Sequence, residues 1–258
     1  MKATGASEQA VRFAQVLHND GYMSDFRSVG PIGVAAVAYP FRANENNGLY
    51  LVNGDPAAID VDDIQRLPTA EIKKRYSEGT LWPGERMSPN GVLALVFADG
   101  SQSFVVDYRV QKGCHACALL ARAFFSFRFD SRGKFDGITL TGIISDPELA
   151  RAENRKMLSV NSGTTFSIVL PANQTTGYSW SLAPATKREG LEYLRHKYHI
   201  PSGSAPGAPG QDFWTFQAKS AGESLLLFEY ARPWEKKQPA ATSLAVMVRV
   251  ESTIPPGK

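Results

Sequence analysis

The chain has 258 residues, of which 43% are apolar and 21% are charged, a composition typical of folded globular proteins. Its formal net charge is only +3, and no run of lysine and arginine is dense enough to follow phosphates, which argues against a nucleic-acid partner. No apolar stretch approaches the roughly 20 residues that a membrane-spanning helix needs, so we expect no membrane span.

The first ten residues, MKATGASEQA, lack the apolar core of a secretory signal. This start fits a cytoplasmic protein, or a protein whose leader is absent from the chain. A first helix is predicted next, capped by Ser7 and ended by Gly21. Its apolar face would consist of Ala10, Phe13, Ala14 and Leu17.

The rest of the first half predicts short strands and hairpins. VAAVAYPF and GLYLVNG indicate strands, and DVDDIQRLP and TAEIKKRYSEG indicate helical turns. Two apolar runs then meet at Asp99 and Gly100, a strong hairpin signal. A second hairpin follows, in which Phe125, Phe127 and Phe129 alternate with polar residues.

These patterns predict two domains. Residues 1–145 would form an α+β domain with an antiparallel sheet, whose role the sequence leaves open. Residues 146–159 are polar, with a short helix after Pro147, and are predicted to be a linker. Residues 160–258 would form an all-β sandwich, because about six short strands and their turns follow one another.

The sequence contains two cysteines, Cys114 and Cys117, in the stretch GCHACA. Haem attachment would need histidine where Ala118 stands, zinc would need two more ligands, and a redox pair should open a helix. We therefore expect a local disulfide or a packed thiol pair.

His196 and His199 are three residues apart in a predicted strand, where they would face opposite ways, so we expect no metal site and no cofactor.

The strands of the second domain place its unusual connections together. If the chain reverses at every connection, the first, third and fifth loops emerge at one end. Those loops are ANQTTG, PSGSAPGAPGQ and RPWEKKQPAAT, whereas the second and fourth are plain polar turns. This arrangement is typical of a binding surface carried by a rigid scaffold.

The residue types in these loops suit recognition. Thr175 and Thr176 are stiff, and Gly177 can adopt a positive φ. Arg232 and Trp234 are residue types enriched at binding hot spots. Taken singly, each loop could also be an ordinary turn, and the tryptophan could cover the core.

The motifs NQTTGY, GAPG and RPW, in this order, resemble the three signature loops of chagasin-type cysteine peptidase inhibitors over residues 158–256. The resemblance implies an immunoglobulin-like β-sandwich that inhibits papain-like peptidases and is not an enzyme. Two positions depart from the family pattern. Gln174 replaces a proline, which should loosen the first loop, and Pro209 replaces a glycine, which stiffens the second loop and removes an N–H.

The resemblance also implies a role for each loop. The first loop would cover the catalytic cysteine and histidine of the peptidase, with Thr175 and Thr176 nearest to them. The second loop would contact one wall of the cleft, and the third loop the other wall. The implied protease-binding residues are Asn173, Gln174, Thr175, Thr176, Gly177, Tyr178, Gly207, Ala208, Pro209, Gly210, Arg232, Pro233 and Trp234.

Other functions are weaker interpretations. The sequence contains no Gly-x-Ser-x-Gly elbow, phosphate loop, dinucleotide fingerprint or His-Glu-x-x-His motif. The main alternative is an envelope or secreted binding protein whose amino-terminal domain carries the principal function, with the sandwich as an accessory interaction module. Because papain-like targets are often found outside the cytoplasm, the resemblance favours a periplasmic or secreted protein, with a cytoplasmic one left open.

Overall fold

The computed structural model describes residues 8–16, 21–42, 46–84, 89–151, 154–201, 204–235 and 238–252. Within these ranges the fold is mostly β, with several antiparallel sheets and few helices. The predicted first helix is present, and Ala10 and Phe13 on its apolar face are buried. The predicted cap Ser7 and the predicted face residue Leu17 lie outside the described residues.

In the described residues we find three α-helices and sixteen strands. The helices are α1 (Glu8–Val16), α2 (Ala70–Arg75) and α3 (Pro147–Arg151). The strands are β1 (Tyr22–Val29), β2 (Ile32–Ala38), β3 (Asn47–Val52), β4 (Ala58–Asp60), β5 (Gly79–Pro83), β6 (Leu93–Phe97), β7 (Gln102–Lys112), β8 (Leu119–Phe129), β9 (Phe135–Ile144), β10 (Arg155–Asn161), β11 (Thr165–Ala172), β12 (Ser179–Leu182), β13 (Leu191–His199), β14 (Gly210–Ala218), β15 (Gly222–Ala231) and β16 (Thr242–Glu251).

The strands form three sheets stacked in layers. The amino-terminal sheet has the order β1-β2-β3-β4, and the carboxy-terminal sheet has the order β10-β16-β15-β12. Between them lies an eight-stranded central sheet, ordered β13-β14-β11-β6-β7-β8-β9, with β5 paired to β7. One hydrophobic core fills the space on each face of the central sheet.

The central sheet runs through both halves of the chain because β6 pairs antiparallel with β11. Phe97 lies opposite Phe166, and Ala94 lies opposite Val169. Leu93 and Leu95 of β6 face the carboxy-terminal sheet, whereas Ala94 packs in the core beneath the amino-terminal sheet. Both faces of β6 are therefore covered, which explains its uninterrupted apolar sequence.

The same alternation appears in β11. Phe166, Ile168 and Leu170 point into the core of the sandwich, as their spacing predicts. Val169 points the other way and packs in the core beneath the amino-terminal sheet. Both faces of β11 are therefore buried, one of them against residues from the first half of the chain.

A buried arginine fastens this junction. Arg27 of β1 donates to the carbonyl oxygens of Val92 (3.1 Å) and Val169 (2.8 Å), which flank the β6–β11 pairing. Burial lowers the pKa of Arg27 to about 10, so its guanidinium is still charged at neutral pH. Nearby, the Gln211 amide donates to the carbonyl oxygen of Ser28. The amino-terminal sheet is thus hydrogen-bonded to strands of both halves.

The segment predicted as a linker contains ordered structure. Residues 155–159 are the first part of β10, which pairs parallel with β16. Met157 and Leu158 are buried in the core, and the Lys156 ammonium lies 2.7 Å from the Asp107 carboxylate. Lys156 is thus buried in an ion pair, whereas Asp146, Glu148 and Arg151 earlier in the stretch are exposed. The division into two domains at these boundaries stays a prediction.

The two cysteines are joined as a disulfide in the turn between β7 and β8. His196 and His199 lie on β13, where His196 stacks on Trp214 and His199 packs edge-on to Phe213, so the two rings occupy opposite faces. The described parts of the chain hold no cluster of three or more metal-ligating side chains. Among those same residues, no helix is long and apolar enough to cross a membrane.

Candidate functional site

Three loops lie at one end of the sandwich, which we call the tip. The antiparallel pairs β11–β14, β13–β14, β12–β15 and β15–β16 make the chain reverse at each connection. The first loop, residues 173–178, therefore emerges beside the described parts of the second loop, residues 200–201 and 204–209, and of the third loop, residues 232–235 and 238–241. This is the arrangement that the strand pattern predicted.

The first loop is a short 3-10 turn over Gln174–Thr176, held by Asn173. The Asn173 side-chain oxygen accepts from the Thr175 amide (3.1 Å) and from the Thr175 hydroxyl (2.6 Å). The Thr176 hydroxyl donates to the Asn173 carbonyl oxygen at 2.6 Å. Gly177 ends the turn with φ of 80°, a conformation that glycine adopts at least cost. The loop is thus fixed by its own side chains.

The Asn173 amide group also ties the first loop to the second. Its nitrogen donates to the Gly207 carbonyl oxygen at 3.1 Å. Because the same side chain caps the first loop and reaches the second, one asparagine sets the spacing between them.

The third loop is tied to the first by Arg232 and Trp234. The Arg232 Nε donates to the Thr176 carbonyl oxygen at 3.4 Å, and its guanidinium lies 4.6 Å from the centre of the Tyr178 ring. The Trp234 indole lies against Gly177. The three loops therefore form one connected surface.

Beneath the tip, Tyr230 supports the first loop. Its hydroxyl accepts from the backbone N–H of Asn173 at 2.9 Å. Its ring stacks on the Tyr178 ring, with 5.4 Å between ring centres, and its centre lies 5.0 Å from that of the Trp180 ring. The sequence interpretation did not identify this residue. The alternation of Phe228 and Tyr230 in β15 was the available signal, since it points both rings toward the sandwich core.

The predicted residues differ in exposure. Gln174, Thr175, Thr176, Gly207, Pro209, Pro233 and Trp234 are exposed, and Asn173, Gly177, Tyr178, Ala208 and Arg232 are half-buried. Trp234 is 66% exposed although it is among the largest apolar side chains, so it offers aromatic surface to a partner. Gly210 is buried, and a Cβ there would come within 2.5 Å of the His199 carbonyl oxygen. The fold itself therefore requires glycine at this position.

The charges of the tip are largely paired. Arg232 lies 3.0 Å from the Glu235 carboxylate, and this hydrogen bond raises the pKa of Arg232 above its usual value. Below the second loop, the fully buried Asp212 lies 2.6 Å from the His196 ring. Burial raises the pKa of Asp212, and the His196 hydrogen bond partly opposes that shift. The described residues of the tip therefore present mainly aromatic, threonine and glycine surface.

Comparison with known proteins identifies this part of the chain. Residues 159–248 match the family described as chagasin family peptidase inhibitor I42. Over 90 residues the chain is 32% identical to chagasin of Trypanosoma cruzi, covering 34% of this chain and 82% of chagasin. The chain belongs to the chagasin family. All thirteen residues predicted to bind a protease fall within the matched range of this chagasin-type region.

Solved structures with detectable likeness are also cysteine protease inhibitors or related proteins. A cysteine protease inhibitor from Entamoeba histolytica aligns at 20% identity and TM-score 0.33, over 38% of this chain and 88% of its own. Amebosin aligns at 28% identity and TM-score 0.29, over 37% and 88%. PbICP-C, solved in complex with falcipain-2, aligns at 18% identity and TM-score 0.26, over 39% and 90%.

Family membership indicates cysteine protease inhibition for the chagasin-type region, and members of this family are inhibitors rather than enzymes. The indication covers only part of the chain. Residues before 159 lie outside the match, although some of them pair with β11 and share its core.

Proposed function

We propose that the protein is a reversible inhibitor of papain-like cysteine peptidases, whose tip fills the active-site cleft and blocks access to it. The observation that carries this proposal is the bonding of the three tip loops to one another through Asn173, Arg232 and Trp234. A connected, exposed surface with its polar groups already satisfied fits a cleft better than three independent loops would.

Each loop has a proposed place in the cleft. Thr175 and Thr176 would approach the catalytic cysteine and histidine of the peptidase. Residues 207–209 would contact one wall, with Gly207 exposing its backbone, and the buried Gly210 would shape the loop behind them. Trp234 would lie flat on apolar or aromatic surface of the opposite wall, beside Arg232 and Pro233. The proposed block is steric, with the tip excluding substrate from the cleft.

The internal bonds of the tip lower the entropic cost of binding. Immobilising a flexible side chain at an interface costs about 0.5–1.5 kcal/mol. In this tip, the hydroxyls of Thr175 and Thr176 are already bonded to Asn173, and Arg232 is bonded to Thr176 and Glu235. Most of that ordering therefore occurs during folding, which leaves more of the contact energy for association.

The two departures from the family pattern have modest proposed effects. Gln174 is exposed, and the turn that contains it is held by the Asn173 cap, so the missing proline should cost little rigidity. Pro209 is exposed and directly precedes the buried Gly210. Because proline lacks an N–H, any contact of the second loop with the peptidase backbone must use other groups there.

The proposal is tested by steady-state inhibition of papain by the intact protein and by Trp234→Ala. We expect competitive, reversible inhibition, which Trp234→Ala weakens about thirtyfold, corresponding to about 2 kcal/mol for a hot-spot residue. Phe41→Ala is the matched control, since Phe41 is 88% exposed and lies in the turn after β2, within the first half of the chain. Equal potency of Trp234→Ala and Phe41→Ala would contradict the role of the tip.

As part of the same proposal we place the protein in the periplasm or outside the cell. Papain-like targets are often found there, and an exposed disulfide such as Cys114–Cys117 persists best in an oxidising compartment.

A second candidate function concerns the first half of the chain, outside the family match. A cavity of about 490 Å³ lies beside β10, between first-half residues such as Ser103 and Arg128 and matched-region residues such as Ser159 and Thr165. A ligand bound in its mixed polar and apolar lining would suit an envelope or secreted binding protein, with the chagasin-type region as an accessory module. Absence of papain inhibition, together with ligand binding that Arg128→Ala abolishes, would support this alternative.

A further inference from the structure

The turn between β7 and β8 carries the disulfide in an asymmetric setting. Cys114 is exposed, whereas Cys117 is half-buried and its carbonyl oxygen accepts from the Gln111 side chain at 3.3 Å. An exchange reaction needs an accessible sulfur, because an incoming thiolate must approach one sulfur in line while the other sulfur leaves. Cys114 is the more exposed residue of the pair.

The fold has little need of this disulfide. The bond closes a loop with a sequence separation of 3, and the stabilisation from a disulfide falls as the closed loop becomes shorter. Backbone hydrogen bonds already hold the turn, from Lys112 to Ala118 (3.0 Å) and from Cys117 to Cys114 (3.1 Å). The turn can therefore keep its shape when the bond opens.

Basic side chains lie in and beside the turn that carries the disulfide, namely Lys112, His115 and, in β7, Arg109. The Arg109 guanidinium lies 2.8 Å from His115 Nε2. Because arginine can only donate, Nε2 must accept, and the proton of the neutral ring sits on Nδ1. The Trp82 ring meets the imidazole edge-on at 5.1 Å and limits its rotation. His115 stands between the two cysteines in the sequence, and its Nδ1–H is the ring donor left uncommitted by the Arg109 contact.

Lys112 adds a second positive charge next to the turn, in an ion pair of 3.2 Å with Glu78. Cationic neighbours and N–H donors favour thiolate over thiol, and a stabilised thiolate makes a disulfide easier to reduce.

We propose that Cys114–Cys117 is an exchange-active disulfide whose substrates are low-molecular-mass or protein thiols. A substrate thiolate attacks Cys114 Sγ, the S–S bond breaks, and Cys117 leaves as a thiolate. A second substrate thiolate then attacks the mixed disulfide, releasing oxidised substrate and the Cys114 thiolate. Two electrons pass from the substrate thiols to the protein disulfide, and the reverse sequence restores it. This activity is independent of peptidase inhibition.

The test equilibrates the intact protein with glutathione and its disulfide and measures the reduced fraction by mass spectrometry after alkylation. We expect millimolar glutathione to reduce most of the protein, while circular dichroism stays unchanged. His115→Ala and Lys112→Gln should each shift the equilibrium toward the disulfide by about two- to fivefold, the effect of losing one exposed electrostatic contact. Lys187→Gln, which removes a lysine from the chagasin-type region, is the charge-matched control and should leave the equilibrium unchanged.

Single-cysteine variants supply a second readout. Cys117→Ser should form a mixed disulfide with glutathione disulfide at least about tenfold faster than Cys114→Ser, because exposure and thiolate character set the rate. The inference is overturned if glutathione leaves the bond intact and only a stronger dithiol opens it. Unfolding on reduction, or equal reactivity of the two variants, would also overturn it.

Discussion

The Trp234 ring rests directly on Gly177: a Cβ built on that glycine would come within 2.5 Å of the Trp234 Cη2 atom. The third loop of the tip can therefore meet the first loop only because position 177 has no side chain. Gly177 also adopts φ of 80°, so the local backbone and the placement of the tryptophan depend on the same residue.

Gly177→Ala should weaken papain inhibition about thirtyfold, because the methyl group displaces Trp234 from its seat and a hot-spot contact of about 2 kcal/mol is lost. The positive φ should also lower the free energy of unfolding by about 1–2 kcal/mol. Inhibition constants and urea denaturation measure the two effects. The control is Gly163→Ala, since Gly163 has φ of 87° with nothing within 4 Å of a Cβ. Gly163→Ala should lose stability but keep inhibition, and loss of inhibition in both variants would implicate general destabilisation.

Asn173 provides a prediction that separates its two contacts. Asn173→Asp keeps the oxygen that caps Thr175 but loses the nitrogen that donates to Gly207, whereas Asn173→Ala loses both. We expect Asn173→Ala to cost about 1 kcal/mol of stability, as for other caps, and Asn173→Asp to cost less. Both variants should bind papain more weakly, as calorimetry or inhibition assays can measure. If only Asn173→Ala loses affinity, the link between the loops does not contribute to binding.

Arg27 tests how strongly the two halves depend on each other. Arg27→Met leaves the carbonyl oxygens of Val92 and Val169 buried without their donor, although it also removes a buried charge. We expect a loss of about 2–4 kcal/mol in the free energy of unfolding, measured by denaturant titration. Arg132→Met is the control, since the Arg132 side chain is 84% exposed, and surface changes usually stay within about 0.5 kcal/mol. Equal stability of the two variants would show that Arg27 does not fasten the halves.

Asp212 predicts a pH dependence of stability. Because burial raises its pKa in the folded state, the folded protein holds that proton more tightly than the unfolded chain does. Its contribution to stability is therefore fully present below the unfolded value of about 3.9 and is lost as pH rises through the higher folded value. Relative to Asp212→Asn, the native protein should become less stable between acidic and neutral pH. Urea titrations across that range measure this, and a constant difference would contradict it.

His196 supplies a check on the same prediction. Its hydrogen bond to Asp212 lowers the pKa of that carboxyl and so opposes the effect of burial. In a His196→Ala background the pH-dependent difference between the native residue and Asp212→Asn should grow. A smaller difference would mean that burial is not the dominant cause.

Local patterns predicted much of the chagasin-type region. The alternation of Phe166, Ile168 and Leu170 marked β11 and its buried face, because side chains in a strand alternate between its two sides. The reversal of successive strands predicted that the loops containing Asn173, Gly207 and Trp234 share one end. The roles of the individual tip residues in binding a peptidase stay predictions.

Long-range pairing was beyond the same reasoning. The sequence of β6 does not indicate that it pairs with β11. The structure was also needed to show that the amino-terminal sheet covers the face of β11 on which Val169 lies. The strand β10 was missed because Lys156 looks like a solvated residue, whereas its charge is paired with Asp107 inside the protein. The supporting role of Tyr230 was missed because it depends on a hydrogen bond from the backbone N–H of Asn173, a residue that is close in space but distant in sequence.

The most direct test of the central claim is protection of the catalytic cysteine of papain from alkylation by iodoacetamide. With the intact protein present, the account predicts that alkylation stops at one equivalent of inhibitor per active enzyme and that activity returns when the complex is diluted. Alkylation at an undiminished rate in the presence of excess protein would show that the tip does not occupy the cleft.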